Sequence, residues 1–261
     1  MRKCVLFLGA AALCCGQGVE FIGLEESTQK AVEEKLDRLP DGRIHYCAAD
    51  LKKAGFADAS VIIYVGNDRT LFTVVTLVEG KRAADVRYRE SPAGDLRAPS
   101  EWSYEAAGEV LANAKDVDDR IAAAKALKNF GTRDGAWRAL VAGLRDPDPQ
   151  VAGTCQQSLN WLRRHAPRKV DWRPAEADLS AVLRGTNLFG FVELVQTLTA
   201  TAIDPAMAGA LLGHGGGRLL LAHLDARHDV EHNAARALLA QLRGEDLGDR
   251  VAPWQAWLGA L

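Results

Sequence analysis

The chain has 261 residues, 48% apolar and 25% charged, which is enough for one large or two modest globular domains and excludes an intrinsically disordered protein. Its formal net charge of −2 and pI near 6.3 lack the basic excess that neutralises a phosphate backbone, so nucleic acid is not an expected partner.

Arg2 and Lys3 precede an apolar run from Cys4 to Cys15, and Gly16, Gln17 and Gly18 follow it. The run is far shorter than the roughly 20 residues that cross a bilayer, and a positive start before a short apolar stretch is the pattern of an export signal. Residues 1–18 are therefore expected to be a cleaved signal peptide, leaving a periplasmic or secreted chain with no transmembrane segment. A buried N-terminal strand or helix is the alternative reading. Leu13-Cys14-Cys15-Gly16 offers a lipid anchor on Cys14 or Cys15 as an alternative, but fits a bacterial lipobox poorly, because Leu13 or Cys14 stands where the lipobox carries a small residue. Cleavage would leave Cys47 and Cys155, both on apolar stripes of predicted helices, as small buried hydrophobes. Two cysteines are too few for a zinc knuckle or a CxxC redox pair, and neither a disulfide framework nor a cofactor is expected.

Next come a short strand, Val19–Leu24, and a helix from Thr28 to Leu39 that Ser27 can cap, with Ala31, Val32, Leu36 and Leu39 on one face. A second helix sets Ile44, Cys47, Ala48 and Leu51 at helical spacing, and Gly55 closes it. Two β-rich runs, Ala59–Val65 and Thr70–Val78, flank Gly66-Asn67-Asp68-Arg69 and read as a hairpin, with Ala84–Arg89 as a further strand. The order predicts an α+β N-terminal domain, strand-helix-helix-strand-strand, over residues 19–90. The segments FIGLEESTQKAVEEKL, LKKAGFADASVIIYV and TLFTVVTLVEG, with Gly55-Phe56 before the hairpin and Glu79-Gly80 after it, resemble a single POTRA domain. That resemblance implies partner binding by strand addition at the sheet edge.

Residues 91–114 lose periodicity and gather Pro92, Gly94, Pro99 and Ser100, the composition of a linker or docking segment. Trp102 and Tyr104 argue that it packs against a neighbour.

From residue 115 to 261 the chain reads as stacked helical units. VAGTCQQSL (151–159) and VEHNAARAL (230–238) match at an offset of 79 residues, about two periods of roughly 40, and DRIAAAKAL (119–127) keeps Ala123 and Leu127 in the matching places. Asp148 can cap the helix that Pro149 begins. The stretches LRDPDPQVAGTCQQSLNWL and LDARHDVEHNAARALLAQL, and the closing GEDLGDRVAPWQAWL, resemble HEAT repeats of the bacterial phycobilisome-lyase type. The predicted fold is thus the α+β domain followed by an all-α HEAT-like helical repeat solenoid of about four units. Trp254 and Trp257 are expected to cap the open end of its core, and its concave face is the default binding surface.

Three histidines are the candidates for chemistry. His228 and His232 are four residues apart at a helix start, beside Asp229 and Glu231, a spacing at which two imidazoles can share a metal. The resembled family has a di-iron hydroxylase branch with repeated His-Glu pairs, but here the order is Glu231-His232 and no second copy exists. Gly213-His214-Gly215-Gly216-Gly217-Arg218 resembles the oxyanion loop of esterases or a phosphate cradle, but no GxSxG elbow and no Gly-Lys-Ser/Thr accompanies it. A tight turn before a helix is the simpler reading. With no catalytic, cofactor or metal residue assigned, the expectation is a non-enzymatic scaffold of the bacterial envelope that binds another protein through the concave face and the sheet edge. A hydrolase or metal enzyme using His214, His228 and His232 is the alternative.

Overall fold

A computed structural model describes residues 18–22, 26–36, 38, 40, 44, 48–54, 59–65, 71–77, 91–183, 188–213 and 217–261. Three short strands, β1 (Gly18–Ile22), β2 (Ala59–Val65) and β3 (Leu71–Leu77), lie in the order β1-β3-β2. β1 runs parallel to β3, with Gly18 opposite Phe72, and β2 runs antiparallel to it, with Val61 opposite Val75. Near them in sequence are two short helices, α1 (Glu26–Lys35) and α2 (Ala48–Lys53).

These segments correct the expected fold class. An α+β domain needs helices with continuous apolar stripes to cover its sheet, and neither helix has one. α1 ends at Lys35, before Leu39, and Ala31 on it is exposed. α2 begins only at Ala48, and Ile44 lies in an isolated bridge with Arg38 instead of on a helix. The buried hydrophobic residues described between residues 18 and 90 are Val32, Leu36 and Leu51, and all three lie outside the large core cluster, which begins at Ala107. The described part of the protein is predominantly helical, and the α+β N-terminal domain, with its POTRA-like reading, is not supported. The expected strand Ala84–Arg89 lies outside the described residues.

The remaining helices are α3 (Tyr104–Asn113), α4 (Val117–Leu127), α5 (Asp134–Gly143), α6 (Pro149–His165), α7 (Glu176–Ala181), α8 (Leu188–Ala200), α9 (Pro205–Leu211), α10 (Gly217–Leu224), α11 (Asp229–Arg243) and α12 (Val251–Leu258). They stack in two rows. α4, α6, α8 and α11 pack in succession along one row; α3, α5, α7 and α9 do so along the other; α10 packs on α11 and α12. α3 falls inside the stretch that read as irregular. Its capping residue Ser103 accepts a hydrogen bond from the Ala106 N–H, and it buries Ala107, Val110 and Leu111.

Local chemistry starts the helices in register. Asp116, Asp148 and Asp204 each accept two backbone N–H groups of the turn they cap, and Pro149 and Pro205 occupy first-turn positions where a missing N–H costs nothing. Buried polar bonds then join neighbours. Arg120, only 3% exposed, donates Nε and Nη2 to Asp146 at 3.0 and 3.1 Å and Nη1 to the carbonyls of Ala114 and Lys115. Ser158 Oγ donates to the Ala124 carbonyl at 2.8 Å, tying α6 to α4. Gly143 lets α5 lie close on α6, because a Cβ there would stand 2.4 Å from Cys155 Sγ. The two turn-to-tryptophan bonds are alike: Trp137 Nε1 donates to the Gly131 carbonyl and Trp254 Nε1 to the Gly248 carbonyl, each at 2.8 Å and each spanning six residues. Trp254 is fully buried, and Trp257 meets it edge to face, with centroids 6.1 Å apart.

Candidate binding groove

The row α6–α8–α11 carries an open groove of about 470 Å³. Its floor is α8, which offers Gln196, Thr199 and Ala200; one wall is the end of α6, with Arg163 and Arg164; the other is α11, with Asp229, Val230, Asn233, Ala234 and Ala237. Alanine and threonine along the seam leave room that larger side chains would fill. Gln241 Nε2 donates to the Thr199 carbonyl at 3.1 Å and fixes α11 to the end of α8.

The walls differ in charge. Arg163 is neutralised by Glu193, to which it donates two bonds at 3.1 and 3.2 Å. Burial pushes the Glu193 carboxyl above its ordinary range, and Arg163 only partly pulls it back. Arg164 donates Nε to the Asn160 carbonyl at 3.4 Å. Across the gap stands Asp229, in the first turn of α11. The described chain exposes three large hydrophobics, Trp161, Val230 and Leu261. Val230 lines the groove, and Trp161, stacked on His165 with centroids 4.6 Å apart, lies three residues before Arg164 on the same flank of α6. Exposed apolar side chains beside a groove are the usual mark of a contact surface.

Of the three candidate histidines, His228 and His232 lie among the described residues and serve separate contacts. His214 lies outside the described residues. His228 occupies the N-cap position of α11 without a side-chain bond to the helix N–H groups, and its Nδ1 donates to Glu231 Oε2 at 2.6 Å, so the imidazole serves a carboxylate that is only 1% exposed. His232 instead donates Nδ1 to the Leu224 carbonyl at 2.6 Å and sets Nε2 3.2 Å from Asp249. Arg236 pairs with both Asp246 and Asp249, and hydrogen bonding from Arg236 leads the causes that hold the Asp246 carboxyl below its usual range. His228 and His232 are thus each spent on a structural contact at the α10–α11–α12 corner. No cluster of three His, Cys, Asp or Glu side chains among the described residues has the geometry to hold a metal ion.

Two features escaped sequence reasoning. The groove needs three helices brought together, and neither Arg163 nor Arg164 stands out in a chain with 32 basic residues. His223 does carry a signal, a single polar residue four positions after Leu219 in the apolar run LLLAHL, and it is 3% exposed with neither ring nitrogen hydrogen-bonded. Among the described residues no helix is long and apolar enough to cross a membrane. No family model, curated protein or solved structure matches the chain.

Proposed function

We propose that the chain is an exported, non-enzymatic interaction protein of the bacterial envelope that receives a segment of another protein in the α6–α8–α11 groove. The observation that carries this reading is the groove itself: a floor of neutral side chains between a wall with Arg163 and Arg164 and a wall with Asp229 and the exposed Val230. Such a surface suits a segment that lays apolar side chains against Val230 and Trp161 and an acidic one against Arg164. The HEAT-type resemblance of the helical part points the same way, because stacked helices present extended surfaces for contact. The positive, apolar start of the chain supports export, with a lipid on Cys14 or Cys15 as a further means of holding the protein at the envelope.

The test is groove-dependent capture. The wild-type chain, Ala237→Trp and Arg164→Glu are used as bait on the envelope fraction, after thermal melts establish that all three are folded. The expected result is one protein retained by the wild type and lost with Ala237→Trp, with Arg164→Glu weakening it about tenfold or more, the scale of a charge-assisted hydrogen bond. Capture that ignores both substitutions overturns the reading.

A further inference from the structure

We infer that His223 is an acid-sensitive latch: the neutral imidazole holds α10–α12 on the body of the helical stack, and acid releases these last helices while α3–α6 remain folded. His223 projects from α10 onto α8, where its ring stacks on Phe191 with centroids 4.4 Å apart and planes 19° apart. Neither nitrogen has a hydrogen-bond partner, an uncommon state for a buried polar group and one tolerated only while the ring is uncharged. Burial alone depresses its pKa, from 6.5 to about 3.

Among the described helices around α10, the acidic side chains are exposed or already bound by another residue. On α8 the ionisable group is Glu193, which is bound by Arg163. α10 contributes the exposed Arg218, and α9 and α12 contain no ionisable side chain. On α11, Asp229 is exposed, Glu231 is bound by His228, His232 by the Leu224 carbonyl and Asp249, and Arg236 by Asp246; Arg243 stands over Trp257, 6.0 Å from its centroid. Protonation therefore places an uncompensated charge in an apolar seam. Opening the seam gives the ring water, where its ordinary affinity for a proton returns.

The direction follows from linkage. A histidine whose folded pKa is depressed contributes stability that is present above its unfolded value, 6.5, and is lost as pH falls through the folded value, about 3. Between pH 7 and 4 the opening equilibrium should rise on the order of a hundredfold. Release of α10–α12 also frees α11 from its neighbours, so the α11 wall of the groove goes with it.

Hydrogen exchange on the full chain, corrected for intrinsic exchange rates, tests the latch. At pH 7 the wild type, His223→Leu and His223→Gln should protect α10–α12 alike; at pH 4 the wild type should lose protection there first and by about a hundredfold more than at pH 7. Either variant should remove most of that rise. Equal acid sensitivity in the wild type and the variants overturns the latch. If neither variant folds, the wild type still decides, because uniform loss of protection over α3–α6 and α10–α12 refutes a local release. Partner capture plays no part in this readout, so it fails or succeeds independently of the proposed function.

Discussion

In α4–α6 the buried guanidinium of Arg120 is met by both oxygens of Asp146 and by two main-chain carbonyls, whereas in α10–α11 the buried polar groups are served less evenly. Glu231 is bound by His228, and the ring of His223, one residue before the end of α10, makes no hydrogen bond. The two regions are built from similar helices, so secondary structure does not account for the difference. It lies in how each seam treats charge. The first is fixed by an ion pair in which each guanidinium nitrogen and each carboxylate oxygen has a partner; the second relies on an imidazole staying neutral. A helical stack can thus be rigid at one end and responsive to pH at the other.

The sharpest way to break the comparison is Asp146→Ala, which strands the Arg120 charge inside the core. It should lower stability by about 3–5 kcal/mol in denaturant melts, and a loss under about 1 kcal/mol would show that the pair is not the fastener it looks like. His228→Ala removes the 2.6 Å partner of Glu231 and should cost less, about 1–3 kcal/mol in the same melts. Asp148→Ala takes the cap from α6 and should cost about 1 kcal/mol. The smallest expected effect has the opposite sign. Ala202, just after α8, holds a left-handed φ of 49°, so Ala202→Gly should stabilise by about 1 kcal/mol, read as a raised Tm.

The same two regions show how much of the helical part could be read directly. Asp148-Pro149 announces the start of α6, and Val151, Cys155 and Leu159 are buried at the spacing the apolar pattern predicts. The match to α11 is one residue out of place. Aligning the capping positions Asp148 and His228 sets Val151 against Glu231, with Cys155 against Ala235 and Leu159 against Leu239. Hydrophobicity favoured Val230 for that inward place, yet Val230 is 39% exposed and the carboxylate beside it is buried. Pattern matching assumes that a glutamate faces water; His228 at the cap makes the exception possible. The N-terminal strands misled in another way. Their β-rich runs are real local signals, but a domain also needs helices long and apolar enough to cover the sheet, and α1 and α2 are neither.

The sequence by itself determined where α6 begins and which of its residues are buried, because the Asp148 cap, Pro149 and the apolar spacing of Val151, Cys155 and Leu159 act within a few residues of one another. Tertiary structure alone decided that the end of α6, the floor of α8 and one flank of α11 meet as a groove, that His228 and His232 serve different partners, and that His223 lands on Phe191 with nothing to bond. Those outcomes depend on which helices become neighbours and at what rotation. A pattern along one helix records which face is apolar, but the polar atoms it will meet are carried by helices distant in the chain.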